Sequence, residues 1–446
     1  MFRNFEVLNK RSWINLIQYI KKIRQENLLI CLFILVVGII SGKLIGILFA
    51  IALIILSFWR DELALVLIFF SGFLKSIEFF RNLPIDFTVL AVFLLFIISL
   101  KKIIKKEKLS KINYLDYLII LQGLLVLFSV VFISSGTWLN WWDAGRFIVF
   151  NLSLYFGLFL LSAKRKEIIN IIYGILFGIV VIASAALHNL IFGKISSWHL
   201  TSFGESYSSL GLMIGLGIIF LFHNILCFKQ TSNQKIISLI LYGLLVFILA
   251  YLPSRHILLS LALTILFVIF IKNLLKHRLL LLSILLFSLV CYSVGTILAN
   301  FQGVDVKRTW SYKGAYFASY FDRIEYTKSS IELFMKNPIF GIGMGEFMYL
   351  QGGKGNYPHN LFLESMVSFG IFGILIFWPS FLFTFKNSIT VLRNQNMKKV
   401  EIAGLWFIFF FLDSNFSGSL SDFRTLWLFM GILSILYYSN KASRFK

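Results

Sequence analysis

The chain has 446 residues, 59% of them hydrophobic and only 14% charged, and its 42 Lys and Arg against 20 Asp and Glu give a formal net charge of +22. A soluble domain is roughly 45–50% apolar with about 25% charged residues, so an ordinary water-soluble enzyme is excluded. The apolar residues come in blocks. Tyr114–Ile133 carries Asp116 as its only charge and Leu279–Asn300 carries none, and each is long enough for a helix to cross a bilayer.

In chain order, residues 13–27, beside the basic residues Lys10, Arg11, Lys21, Lys22 and Arg24, are expected to form a short interfacial amphipathic helix rather than a cleavable leader. Apolar segments follow at 28–41, 44–59, 63–80, 87–100, 114–133, 147–162, 168–192, 207–226, 236–252, 257–271, 279–298, 362–385, 402–417 and 424–439. Only Ser41-Gly42-Lys43 separates the first two, which read as a tight hairpin or a re-entrant pair, so twelve to fourteen crossings are expected. Alternation of period two is absent, which argues against an outer-membrane barrel. Cys31, Cys227 and Cys291 lie in or beside apolar segments without a CxxC pair and read as small buried hydrophobes. The expected fold is all-α: a polytopic transmembrane helical bundle with both termini cytoplasmic and one large, partly helical periplasmic loop.

The charges orient this bundle. With the N-terminus inside, 28 of the 42 basic residues fall in cytoplasmic stretches, the run Lys101-Lys102-Ile-Ile-Lys105-Lys106-Glu-Lys108 being the strongest marker. Such a run beside anionic lipid is a topology signal and not a nucleic-acid patch. Most outer loops are short: 81–86, 134–146, 193–206, 253–256 and 418–423. One is long, Phe301–Asn360, and holds seven of the other 14 basic residues. The expected organisation is therefore N-terminal helices over 1–298, an outer loop over 299–360 and C-terminal helices over 361–446.

Within the long loop, about Tyr312–Asn337 reads as a helix, with Ile324, Ile331 and Met335 on one face and Arg323, Tyr326 and Ser330 on another. Asn337-Pro338 ends it, because a residue before proline disfavours the helical region. Gly341-Ile-Gly343-Met-Gly345 follows a helix and lacks the Lys-Ser/Thr of a phosphate loop, so it reads as a flexible turn for close backbone approach. Tyr357-Pro358-His359-Asn360 leads into an apolar helix for which Asn360 is a good cap. The positive helix end disfavours imidazolium, so His359 reads either as a neutral proton acceptor or as a surface residue at a helix start. Free N–H groups at that end suit a phosphate oxygen.

Arginines at other helix mouths narrow the choice. Arg255, in Pro253-Ser254-Arg255-His256, sits in a four-residue outer turn, where it either snorkels or serves a ligand. Arg323 and Arg146 are similar candidates, and outward arginines with a neutral histidine suit a phosphate-bearing substrate. Trp138, Trp141 and Trp142 read first as an interfacial aromatic belt and second as stacking surfaces for sugars. No HExxH, Cys/His pair or acidic DxD dyad stands on an outer loop, so neither a metal nor a cofactor is expected.

These residues resemble a known family. Ser254-Arg255 at a helix mouth, Arg323 before Pro338-Ile-Phe-Gly341-Ile-Gly343, and His359-Asn360-Leu361-Phe362-Leu363-Glu364 opening a helix with Gly370-Ile-Phe-Gly373 are similar to the O-antigen ligase and O-antigen polymerase superfamily, over about 250–375. Gly204-Glu205-Ser206-Tyr207 stands where many relatives carry an asparagine-containing turn, which this chain lacks. The resemblance implies a GT-C-like, inverting, metal-independent glycosyltransferase of lipopolysaccharide biosynthesis at the periplasmic face of the bacterial inner membrane. Its donor would be a glycan on undecaprenyl pyrophosphate. Arg255 and Arg323 would clamp the pyrophosphate, His359 would deprotonate or orient the acceptor hydroxyl, and Arg146, Tyr326, Asn360 and Glu364 would support them. Polymerisation of repeat units is the leading expectation and ligation to lipid A-core the second. A protein O-oligosaccharyltransferase is a third, and a flippase or other transporter is the non-enzymatic rival, which would be expected to show repeats and midplane charges. Expected partners are the lipid-linked glycan, the acceptor glycan or lipid A-core, membrane lipids and a chain-length regulator, with no nucleic acid.

Overall fold

In a bilayer every backbone N–H and C=O must be satisfied inside its own segment, so long apolar runs fold as helices. The computed structural model describes residues 36–105, 112–161, 164–192, 200–228, 230–252, 254–274, 278–302, 315–353, 356–394, 397–398 and 400–444. It is 80% helical, with no strand among the described residues. The expected helix at 13–27, most of the segment 28–41, Cys31, Lys106, Lys108, Pro253 and the start of the loop helix at 312–314 lie outside them.

The helices are α1 (Lys43–Ser57), α2 (Leu63–Leu74), α3 (Glu78–Arg81), α4 (Phe87–Ile104), α5 (Tyr114–Phe132), α6 (Trp138–Arg146), α7 (Ser153–Leu160), α8 (Arg165–Ile191), α9 (Tyr207–Cys227), α10 (Ser232–Ala250), α11 (Arg255–Ile271), α12 (Arg278–Phe301), α13 (Ala315–Lys336), α14 (Glu346–Leu350), α15 (Leu361–Arg393), α16 (Glu401–Asp413) and α17 (Arg424–Arg444). Among the described residues, eight helices are long and apolar enough to cross a membrane and four shorter apolar ones accompany them. The chain is an all-α polytopic membrane protein. Where a loop over 134–146 was expected, only residues 133–137 are non-helical. The helix begins at Trp138 and runs through a π-helical stretch, Phe147–Leu152, into α7, so the two form one apolar span. Its start is closed by Thr137 and Asn140, whose carbonyl oxygen accepts from the Thr137 N–H at 2.8 Å.

Polar residues placed just before apolar runs set several other starts. Asn113 accepts from Leu115 N–H at 2.9 Å while Asp116 accepts from Asn113 N–H at 2.7 Å, and Ser206 accepts from Ser209 N–H at 3.2 Å to open α9.

The core sits around the last two helices. Ile402–Phe410 of α16 and Leu426–Leu433 of α17 are buried on all sides, with Trp406 and Trp427 among the largest fully enclosed side chains. A helix apolar all round belongs inside a bundle. At the other extreme, α12 buries only Leu281, Ile284, Gly295 and Ala299 and presents the rest of its apolar surface outward.

Candidate active site

The site lies at the end of the bundle where α9, α11 and α15 begin and α16 stops. Arg255 is the first residue of α11 and is exposed. The next residue, His256, turns inward: its Nδ1 lies 2.7 Å from Asp413 Oδ1 at the C-terminal end of α16. Its Nε2 faces Ser254 Oγ at 2.9 Å and Ser208 Oγ at 3.3 Å. Asp413 is buried, and its Oδ2 has no hydrogen-bond partner.

The loop helix α13 brings Arg323 to the same place. Its inner face is the one carrying Arg323, Tyr326 and the fully buried Ser330, while Ile331 and Met335 point outward and are exposed. Arg323 Nη1 donates to the carbonyl of Phe416 at 2.7 Å, and among the described residues the guanidinium makes no ion pair. Burial lowers its pKa and Arg255 pushes the same way, partly offset by Tyr357, Tyr207 and Asp413. Two arginines thus repel one another at the mouth, an arrangement that an anion relieves.

The glycine turn anchors this end of the loop. Gly341 and Gly343 have φ of 71° and 94°, the left-handed region. Ile342 N–H donates to Val367 O at 3.0 Å and Gly343 N–H to Ser368 O at 2.9 Å. A Cβ on Gly343 would stand 2.9 Å from the backbone nitrogen of Ser134. The turn expected to be flexible is therefore pinned between α15 and the end of α5, and it is close packing that demands glycine. Gly370, at φ 62°, breaks α15 where Ile371 N–H donates to Pro338 O at 2.8 Å. Glu346 fastens the other side by accepting from Ser135 N–H at 3.0 Å and Asn140 Nδ2 at 3.0 Å.

His359 stands just before α15, whose cap is Asn360: its Oδ1 accepts from Phe362 and Leu363 N–H, both at 3.0 Å. The His359 backbone has φ 55°, uncommon for a residue with a side chain. The ring lies against Tyr357, centroids 4.3 Å apart, and stacks on Tyr326 at 6.2 Å and 25°. Burial, with Arg323 and His256 beside it, pushes its pKa down to about 4. It is neutral at physiological pH, and its buried Nδ1 has no hydrogen-bond partner. Burial pushes the Tyr357 hydroxyl up, reinforced by Asp422 and Glu364 and opposed by Arg323 and Arg146, so Tyr357 lies between two charged groups.

The second group holds Arg146 and Glu364. Arg146 is ion-paired with Asp422, and buried Glu364 accepts from Leu420 N–H at 2.8 Å. Both hold the 414–423 segment over the site, and that segment meets Arg323 through the Phe416 carbonyl. The structure thus brings Arg255, Arg323, His359, Tyr326 and Asn360 to one end of the bundle. It adds Asp413, Tyr357 and Ser208, to which sequence reasoning gave no role, and a function for the His256 ring. Asp413 was visible in principle: an ionisable residue ending an apolar helix is a functional candidate by default.

Arg255, Arg323 and a neutral His359 are thus gathered at the helix mouths of a helical membrane protein. Residues 240–378 match the model of the O-antigen ligase family, which supports the O-antigen ligase and polymerase superfamily for this chain. The match spans α11, α13 and the start of α15, and with them Arg255, His256, Arg323 and His359; Asp413 and Arg146 fall outside it. No curated protein matches the chain.

Proposed function

We propose that this protein is an inverting, metal-independent glycosyltransferase that takes glycan from undecaprenyl pyrophosphate and polymerises polysaccharide repeat units at the periplasmic face of the bacterial inner membrane. The family match supports O-antigen ligase or polymerase activity in general. The observation that carries the finer reading is Arg323, held over the mouth beside Arg255 and without an ion pair among the described residues. A diphosphate between two guanidinium groups removes their repulsion and receives planar, bidentate hydrogen bonds.

In the transfer, the acceptor oxygen attacks the anomeric carbon from the face opposite the diphosphate. The carbon–oxygen bond to phosphate breaks, and its electron pair leaves with the lipid diphosphate. The growing charge is met by Arg255 and Arg323, which stabilise the transition state more than the ground state. His359 accepts a hydrogen bond from the attacking hydroxyl at its unpartnered Nδ1, with Tyr326 and Tyr357 fixing the ring plane. The lipid tail of the donor remains in the bilayer, and the chain-length regulator is a further partner in this scheme.

Ligation to lipid A-core is the second reading, favoured by the description of the matching family. Glycan profiling of a strain lacking the gene tests both. Core capped with a single repeat establishes the polymerase; bare core with long lipid-linked chains establishes the ligase. A wild-type profile removes both.

A further inference from the structure

The reaction releases a proton from the acceptor hydroxyl, and the two histidines at the mouth are unequally equipped to take it. Among the described residues, the charged or titratable groups that act on His359 are an arginine and a second histidine, with no carboxylate. A proton there would add a third positive charge to a site already holding two arginines. His256 has a buried carboxylate 2.7 Å from Nδ1, which fixes the ring so that Nε2 points at hydroxyls. A proton arriving at Nε2 leaves a cation in direct contact with the Asp413 carboxylate, and the pair goes from one negative charge to neutral. Asp413 makes no stronger claim elsewhere: Ser260 Oγ approaches Oδ1 at 3.5 Å and Oδ2 is unpartnered.

We propose that Ser208, His256 and Asp413 form the proton-accepting chain of the transfer, with His359 orienting the acceptor hydroxyl and His256 Nε2 receiving its proton by way of the Ser208 hydroxyl. This rests on the glycosyl-transfer reading above. The balance is simple. The acceptor O–H breaks as the new glycosidic bond forms, its proton passes to Ser208 Oγ as the Ser208 proton passes to His256 Nε2, and the displaced diphosphate leaves with its electron pair. The imidazolium then returns its proton to water after the products part. The arrangement is that of the Ser-His-Asp relay, in which the acid orients the ring and balances its charge without being protonated itself. Here the serine conducts the proton instead of attacking. Among the described residues, Asp413 from α16 and His359 from the α15 approach face His256, and Arg323 from α13, with Tyr207 from α9 and Arg255 beside it, lies across the same mouth. Of these, Asp413 alone is an acid that can balance a proton on the ring.

The test uses membranes of cells lacking the gene, which hold accumulated lipid-linked glycan and both acceptors, supplemented with purified full-length protein. Initial rates are read against pH for wild type, His256→Gln, Asp413→Asn, Ser208→Ala and His359→Gln. Binding of undecaprenyl diphosphate alone is measured in parallel. His256→Gln and Asp413→Asn are expected to lower the rate at least 100-fold, to flatten the acid limb of the profile, and to bind undecaprenyl diphosphate within threefold of wild type. Ser208→Ala, which leaves the His–Asp pair intact, is expected to lose five- to twentyfold. An acid limb that survives in His256→Gln and vanishes in His359→Gln overturns the proposal and gives the proton to His359. So does wild-type rate in both His256→Gln and Ser208→Ala. Failure of the underlying reading looks different: Arg323→Ala would then bind undecaprenyl diphosphate as tightly as wild type.

Discussion

The helix α16 carries a carboxylate at each end, and each holds a histidine. At its start, Glu401 lies 3.0 Å from His223 Nε2 on α9 and is also ion-paired with Lys272 at the end of α11, whose ammonium donates to Leu392 O at 2.5 Å. At its finish, Asp413 lies 2.7 Å from His256 near the start of α11. The same helices are tied at both ends by the same residue types. At the Glu401 end each carboxylate oxygen faces a basic group, His223 at Oε1 and Lys272 at Oε2. At the Asp413 end a carboxylate oxygen and a histidine nitrogen lack partners and Arg323 has no counter-ion among the described residues. Leaving a buried polar group unsatisfied costs roughly 1–3 kcal/mol, so a ligand that completes these groups gains from meeting them. On the proposed function, the diphosphate of the donor is what the second end receives.

The largest expected effect follows from removing the positive side of the open end. Arg323→Ala should lower transfer by about 10²–10³-fold, the range for loss of one preorganised donor. Arg255→Lys and Arg323→Lys should also lose most of their activity, because an ammonium does not replace a bidentate fork. Full activity in both lysine variants, measured in membranes with accumulated lipid-linked glycan, would mean that the arginines only snorkel. His359→Ala should abolish product while the protein remains inserted and folded; wild-type product would remove its contact with the acceptor.

Gly343 ties the outer loop to the scaffold through Ser368 O and the backbone of Ser134. A side chain there needs positive φ, costing roughly 1–2 kcal/mol, and meets Ser134 backbone as well. Gly343→Val should therefore lower the thermal midpoint in detergent and reduce activity in proportion to misplaced Arg323 and His359. An unchanged midpoint would mean that the turn is loose after all.

Lys272→Met probes the closed end. It leaves Glu401 with His223 alone and should cost stability, on the order of 1–3 kcal/mol given that Lys272 is partly exposed. Transfer per folded molecule should stay within twofold of wild type. A hundredfold loss of activity at unchanged stability would break the contrast between the ends.

Periodicity and hydropathy made the helices legible, and the loop helix of Arg323 and Tyr326 was readable from spacing alone. Arg255 and His359 were singled out because each stands at the boundary of an apolar run, where a charge has few structural reasons to be, and Arg323 because it lies in the helix of the long outer loop. The partners were not found. His256 and Asp413 are 157 positions apart, and helix packing alone brings them together. The turn at Gly341 and Gly343 was read as flexible for the same reason: glycine permits both mobility and close approach, and only the backbone of Ser134 and of residues 367–369 decides between them. The start of the span at Trp138 was missed because Asn140, Asp143 and Arg146 interrupt its hydropathy, although Asn140 and Asp143 are buried and Arg146 is ion-paired.

The smallest effect is a pH dependence at the open end. An ordinary histidine titrates near 6.5, whereas His359 in the fold is held at about 4 by burial and by Arg323 and His256. Between those values the unfolded chain binds a proton that the folded one does not. Stability therefore rises with pH across this window and falls as the solution is acidified from about 6.5 toward 4. The contribution is fully present above the unfolded value and is lost once the folded value is passed. His359→Gln should flatten this part of the profile, so that its thermal midpoint falls less than that of wild type between pH 7 and pH 5. Undecaprenyl diphosphate should act in the same direction on wild type, because an anion against Arg323 cancels part of the repulsion that keeps the ring neutral. Lys272→Met, at the closed end, should leave the window unchanged. A wild-type profile as flat as that of His359→Gln would show that burial and the neighbouring Arg323 and His256 do not hold the His359 ring neutral.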